Sequence, residues 1–161
     1  MKTAVVYYSM SGNTKMIAGM IADALDVDII EIVPQKAYPD KGMKKFLWGG
    51  KAAVMGDKPA LEPYSFDADQ YDRIIFGSPV WASNITPPLR SFIAENKESL
   101  KSKSFGLFLC FSGGGADKAV IKLKNLLGVD DFIAELILVD PKEQSSSQYE
   151  NEVKRFCKQL K

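Results

Sequence analysis

Short apolar runs alternate with amphipathic segments along the whole chain, and this order restricts the folds open to it. The near-continuous apolar runs span residues 3–8, 29–33, 73–76, 104–111 and 132–139. Runs of this kind are typical of strands buried on both faces of a parallel sheet, and the segments between them have helical spacing. We therefore predict an α/β fold, a single doubly wound parallel sheet of five strands with helices on both faces. At 161 residues the chain fits one domain, residues 1–161.

Small polar residues follow the first apolar run, in the stretch Ser9-Met10-Ser11-Gly12-Asn13-Thr14. The amides at the start of the next helix lack intrahelical partners, and the helix dipole adds positive potential there. An anion can therefore be held at this turn without a Lys or Arg side chain, so the stretch predicts a phosphate site. An ordinary strand-to-helix turn with one capping hydroxyl is the alternative.

A tryptophan follows the third run, in the loop Val80–Asn84. Trp81 falls at neither a strand nor a helix period, which favours a half-exposed indole that stacks on a flat ligand. The alternative is an indole folded back into the loop as a plug. The loop ends at Thr86, a good N-cap before a helix that starts with Pro87.

Three consecutive glycines follow the fourth run, in Ser112-Gly113-Gly114-Gly115. Glycine lets the backbone approach a ligand closely and adopt positive φ. A mobile loop without a ligand would have the same composition. In doubly wound sheets, ligands bind beyond the carboxyl ends of the strands, where all three unusual loops fall. A ligand with a phosphate and a flat polar ring system would contact all of them, and flavin mononucleotide (FMN) has both parts.

The three loops together resemble those of the flavodoxins and related flavodoxin-like domains, over nearly the whole chain. The resemblance implies a strand order of 2-1-3-4-5 and tightly but noncovalently bound FMN. It implies that the phosphate is held by the side chains of Ser9, Ser11, Asn13 and Thr14 and by the backbone of Met10 and Gly12. It implies ring contacts from Pro79, Val80, Trp81, Ala82, Ser83, Asn84, Ser112, Gly113, Gly114 and Gly115.

The charge and residue composition exclude several classes of function. With 21 basic and 20 acidic side chains, no overall field recruits nucleic acid or an anionic membrane. The chain has no histidine, which excludes His-based catalysis and His-ligated metals, and its two cysteines are far apart, so we predict no metal site. No leader segment and no long apolar run is visible, and Cys110 and Cys157 are expected to be reduced, so we predict a cytoplasmic protein.

These features favour an FMN-binding electron carrier with redox partner proteins, as a monomer or weak dimer. The alternative is an FMN-dependent NAD(P)H:quinone-type oxidoreductase. A signalling or phosphate-binding module is less favoured, because a receiver domain needs acids where the chain has Tyr8-Ser9, and a Walker loop needs a Gly-Lys-Ser/Thr ending. Neither ring-binding loop has an acid before Asp117, so we predict a less negative potential for full reduction than in strongly acidic carrier flavodoxins.

Residues 36–66 form the least regular third of the chain. Their pattern predicts a short helix over residues 41–55, broken near Gly49-Gly50. Its lysines include Lys44, Lys45 and Lys51. They form either a docking patch for an acidic partner or an ordinary solvated helix face.

Overall fold

The computed structural model describes residues 1–39 and 41–161, without the side chains of Lys45 and Phe46. Strands and helices alternate in these residues. In chain order they are β1 (Thr3–Tyr7), α1 (Asn13–Leu25), β2 (Asp28–Glu31), α2 (Gly42–Met55), β3 (Arg73–Pro79), α3 (Pro87–Glu95), α4 (Lys97–Leu100), β4 (Ser104–Phe111), α5 (Ala116–Leu127), β5 (Ala134–Val139) and α6 (Ser146–Gln159). Two single-turn 3-10 helices lie at Ala68–Gln70 and Pro141–Glu143.

The five strands form one parallel sheet in the order β2-β1-β3-β4-β5, which confirms the predicted fold class and strand order. The interior strand β1 is buried along its whole length, as its unbroken apolar run predicts. Its Val5 pairs with Ile29 of β2 on one side and with Ile75 of β3 on the other. The strand order reverses between β1 and β3, so the carboxyl ends of these two strands flank the expected ligand crevice.

Helices cover both faces of the sheet, because successive strand side chains point to opposite sides. On one face Val5 and Phe108 belong to a core that includes Ile17 and Ile21 of α1 and Phe156 of α6. On the other face the core is formed by the strand residues whose side chains point to that side and by helices α3 and α5. Its members include Val6, Phe76, Leu89, Phe92 and Leu123.

Helix α2 runs without interruption from Gly42 to Met55, so the predicted break near Gly49-Gly50 is wrong. Packing explains the first of the two glycines. A Cβ on Gly49 would lie 3.1 Å from the Trp81 ring, so the missing side chain lets the helix approach the loop after β3. A Cβ on Gly50 would lie 4.0 Å from Ala82 Cβ, which is an ordinary contact. Of the predicted strand limits, those of β4 agree with the structure, and those of β1, β2, β3 and β5 differ from it by one to three residues.

The helices within the described residues are too short or too polar to cross a lipid bilayer.

Candidate functional site

A cleft of about 410 Å³ opens at the carboxyl edge of the sheet. The loops that follow β1, β3 and β4 meet there, as expected for a doubly wound sheet. The predicted site residues that line it are Met10, Ser11, Asn13, Thr14, Pro79, Val80, Trp81, Ala82, Ser112, Gly113 and Gly114. The other predicted residues do not line the cleft but belong to the same three loops, namely Ser9, Gly12, Ser83, Asn84 and Gly115.

The first loop holds a buried hydroxyl. Thr14 lies in the first turn of α1 and is only 1% exposed, and its Oγ1 meets no hydrogen-bond partner among the described residues apart from the neighbouring Cys110 thiol, which is a weak donor and acceptor. An unsatisfied buried polar group costs about 1–3 kcal/mol. Thr14 is also one of the residues that line the cleft, so a ligand bound there would lie next to this side chain.

The backbone of this loop is shaped for a helix N-terminus. Gly12 is the N-cap of α1 with φ +95°, a left-handed conformation that glycine adopts without strain. It provides no capping side chain, while Ser9 Oγ accepts a hydrogen bond from the backbone N–H of Lys15 at 3.1 Å. The serine thus satisfies one amide of the first helical turn and leaves the cleft-facing side chains free.

A lysine that the sequence reasoning did not identify contacts the same loop. The Lys142 backbone N–H donates to Asn13 Oδ1 at 2.9 Å, and Lys142 Nζ donates to the Ser11 carbonyl oxygen at 3.2 Å. These bonds tie the 3-10 turn Pro141–Glu143 to the first loop. They also leave the two N–H donors of the Asn13 carboxamide for a ligand, and place a positive charge beside the loop.

The second loop is a tight turn over Trp81–Asn84. Two backbone hydrogen bonds of 2.9 and 3.0 Å join Trp81 and Asn84. Ala82 and Ser83 both have positive φ, at 49° and 60°, as in a type I′ turn. This conformation costs L-residues other than glycine about 1–2 kcal/mol each. Asn84 stabilises it by donating from its carboxamide to the Ala82 carbonyl at 2.7 Å.

The second and third loops touch through Ser83 and Gly115. Gly115 has φ +87°, and a Cβ there would lie only 2.2 Å from Ser83 Oγ. Glycine at this position therefore permits both the turn into α5 and the close contact between the loops.

Trp81 is half-buried and forms part of the cleft wall. Tyr8 and Tyr38 approach its ring in edge-on geometry, with centroid distances of 5.8 and 5.2 Å. Gly49 of α2 lies against the six-membered ring. These neighbours hold the indole in one orientation. The ring is partly exposed, as the prediction of a ligand-stacking indole requires, and partly buried, as the alternative of an indole folded into the loop requires.

Four residues that the sequence analysis did not assign to the site also line the cleft, namely Gly50, Cys110, Phe111 and Asp140. Phe111 ends β4 and supplies a second aromatic side chain. Asp140 follows β5 and accepts a hydrogen bond from Ser112 Oγ at 2.6 Å. The sequence reasoning used only the ends of β1, β3 and β4, whereas β5 ends at the same edge of the sheet. A carboxylate therefore enters the cleft from a fourth segment.

Burial keeps two ionisable groups at the cleft neutral. It raises the pKa of the Cys110 thiol to about 12, against a small opposing effect of the nearby Thr14 hydroxyl. It also raises the pKa of the Tyr8 phenol to about 12. Both groups therefore stay protonated near neutral pH. No cluster of three potential metal-ligating side chains occurs in the part of the chain that the structure describes.

Solved structures with the same architecture cover nearly the whole chain. A flavoprotein in complex with FMN from Lactobacillus acidophilus NCFM has a TM-score of 0.71 and 24% identity, with 88% of this chain and 95% of that one covered. A WrbA-like flavodoxin from Agrobacterium tumefaciens has a TM-score of 0.57 and 18% identity, with 98% and 95% covered. Two-electron-reduced Megasphaera elsdenii flavodoxin has a TM-score of 0.55 and 17% identity, with 96% and 99% covered. At these identities the likeness concerns the fold.

The sequence itself is matched by a family model. The model of the flavodoxin domain aligns with residues 51–145, which include the loops after β3 and β4 and the turn after β5. This match extends over more than half of the chain, and the protein therefore belongs to the flavodoxin family.

Proposed function

We propose that this protein binds FMN in the cleft at the carboxyl edge of the sheet and acts as an electron carrier. The observation that carries the proposal is Thr14, a residue of the cleft wall whose buried hydroxyl finds no oxygen or nitrogen partner among the described residues. A phosphate oxygen would give this hydroxyl the acceptor that the protein itself does not supply. The flavodoxin family and the FMN complex of the L. acidophilus flavoprotein support FMN as the ligand.

The first loop would hold the phosphate. The N-terminal amides of α1 and the helix dipole favour an anion there, and the side chains of Ser11, Asn13 and Thr14 add donors. Lys142 adds a positive charge from the turn after β5, through its contact with the Ser11 carbonyl. The residues present therefore fit a terminal phosphate group.

The flavin ring would lie between the other loops. Trp81 and Phe111 supply aromatic surface, while Gly113 and Gly114 leave the backbone of the third loop accessible. Ring binding by these residues excludes water from part of the flavin. When bound, FMN supplies the redox chemistry, and the protein orients the ring and sets its electrostatic surroundings.

Asp140 affects those surroundings. Its carboxylate is fixed by Ser112 and lines the cleft, so it opposes any gain of negative charge by a ligand there. The absence of acids from the ring-binding loops predicts a less negative reduction potential for the bound flavin. The Asp140 carboxylate makes that potential more negative.

Stepwise anaerobic photoreduction of the FMN-loaded protein tests the carrier function. A carrier is expected to take up two electrons in separate steps, visible as a distinct intermediate absorbance spectrum. A direct passage from the oxidised to the fully reduced spectrum, together with rapid bleaching by NADPH, would instead support the NAD(P)H:quinone-type oxidoreductase. Failure to retain FMN would refute both functions.

A further inference from the structure

Helix α2 has its large apolar side chains on the outside. Its described buried residues are small: Gly49, Ala52 and Ala53. Its described large apolar side chains are exposed, with fractions of 79% for Met43, 63% for Leu47, 65% for Trp48, 68% for Val54 and 69% for Met55. A surface helix normally buries such side chains and exposes its small or polar ones. The outer face of α2 is therefore an apolar surface without a partner among the described residues.

The same face is basic. Lys44 and Lys51 are exposed, and neither forms an ion pair with a carboxylate of the described residues. Residues 42–55 contain no Asp or Glu. Helical spacing places Met43, Leu47 and Val54 along one stripe and Trp48 and Met55 along a second, with the two lysines between them. The side chain of Lys45, which belongs to the predicted lysine patch, lies outside the described residues.

This surface is continuous with the cleft. Gly50, one residue beyond the close contact of Gly49 with Trp81, lines the cleft itself. A protein seated on the outer face of α2 would therefore lie beside the ligand that the cleft holds. That position is the one an electron-transfer partner needs.

We propose that the outer face of α2 docks a redox partner protein whose apolar contact surface contains carboxylates. The proposal rests on the function proposed above. The charge pattern selects this occupant. In a symmetric contact between two copies, Lys44 and Lys51 would face the same lysines of the partner copy, which repel one another. If α2 were bound to a membrane, the lysines between its two apolar stripes would be drawn toward the acyl chains. A partner protein can instead place carboxylates opposite these lysines.

Stopped-flow electron transfer tests the proposal with a defined acidic probe, a dithionite-reduced [2Fe–2S] ferredoxin. Each encounter moves one electron from the ferredoxin cluster, which is oxidised, to the flavin of this protein, which is reduced. The test variant combines Lys44→Glu and Lys51→Glu. The control combines Lys97→Glu and Lys154→Glu, which are exposed residues of α4 and α6 and change the net charge equally.

At low ionic strength the second-order rate constant should fall about tenfold or more in the test variant and less than about twofold in the control. The rate constant of the unmodified protein should also fall with added salt. A combined Leu47→Ser and Trp48→Ser variant should slow the transfer at high salt, where the apolar contact dominates. Equal rate constants for the unmodified protein and the test variant would overturn the proposal.

Two further measurements distinguish the other occupants. The first is cosedimentation with phosphatidylglycerol vesicles. If the unmodified protein binds the vesicles, the test variant does not, and the two have the same ferredoxin kinetics, then α2 binds membranes and the proposal is overturned. The second is sedimentation velocity. A dimer of the unmodified protein that dissociates in the Leu47→Ser and Trp48→Ser variant would also overturn the proposal. FMN content and photoreduction are measured first in each variant, so failure of the proposed function is seen separately from failure of docking.

Discussion

Replacing Thr14 with Val should have opposite effects on the protein without and with FMN. Valine has nearly the same shape, so the change removes the hydroxyl while keeping the packing and a similar helix propensity. In the ligand-free protein Thr14 Oγ1 is buried and finds no oxygen or nitrogen partner among the described residues, at a cost of about 1–3 kcal/mol. The free energy of unfolding of the ligand-free variant should therefore rise, by about 1 kcal/mol.

The affinity for FMN should fall in the same variant. A hydrogen bond to a charged group contributes about 1.5–3 kcal/mol. Since each 1.4 kcal/mol corresponds to about a factor of ten, the Kd for FMN should rise roughly tenfold to a hundredfold. Urea unfolding measures the first effect, and quenching of FMN fluorescence on titration measures the second.

Thr3→Val is the matched control. Thr3 is also buried, at 7% exposure, but it lies at the amino end of β1, opposite the cleft. Its replacement should leave the Kd for FMN unchanged within about twofold, a range typical of substitutions remote from a site. A Thr14→Val protein that is less stable without ligand and binds FMN as tightly as before would refute the reasoning.

Four other substitutions test the cleft and the residues next to it. Gly50→Ala should raise the free energy of unfolding by up to about 1 kcal/mol through helix propensity. Gly49→Ala should raise it less and weaken FMN binding, because its Cβ would lie 3.1 Å from the Trp81 ring. The same free energy of unfolding and the same Kd for FMN in both variants would contradict this expectation. Lys142→Met should raise the Kd for FMN about twofold to fivefold and reduce its salt dependence, and an unchanged Kd would exclude a role for the ammonium group. Asp140→Asn should make the flavin potential less negative by roughly 20–40 mV, measured by redox titration, and a shift in the other direction would contradict the electrostatic argument.

The sheet and the loop positions could be predicted because they depend on local patterns. The short apolar runs around Val5 and Phe108 are typical of buried strands, and both form strands of the sheet. The polar composition of Ser9–Thr14 likewise follows from the chemistry of a helix N-terminus.

The remaining features depend on contacts between distant parts of the chain. Lys142 reaches Ser11 only because β5 ends at the same edge as β1, and Asp140 enters the cleft for the same reason. Gly49 and Gly50 resemble a helix break in the sequence, since the packing of Gly49 against Trp81 is not visible there. Local propensity was overridden by tertiary packing at these positions.

A comparison of FMN with riboflavin tests the proposed site most directly. Riboflavin has the same ring system but lacks the phosphate, so it can use the walls around Trp81 without the donors of the first loop. Titration of the ligand-free protein should show one FMN per chain, with riboflavin bound at least about a hundredfold more weakly, since two or more charged hydrogen bonds are lost. Equal affinities for FMN and riboflavin, or no binding of FMN, would contradict the phosphate site at Ser9–Thr14.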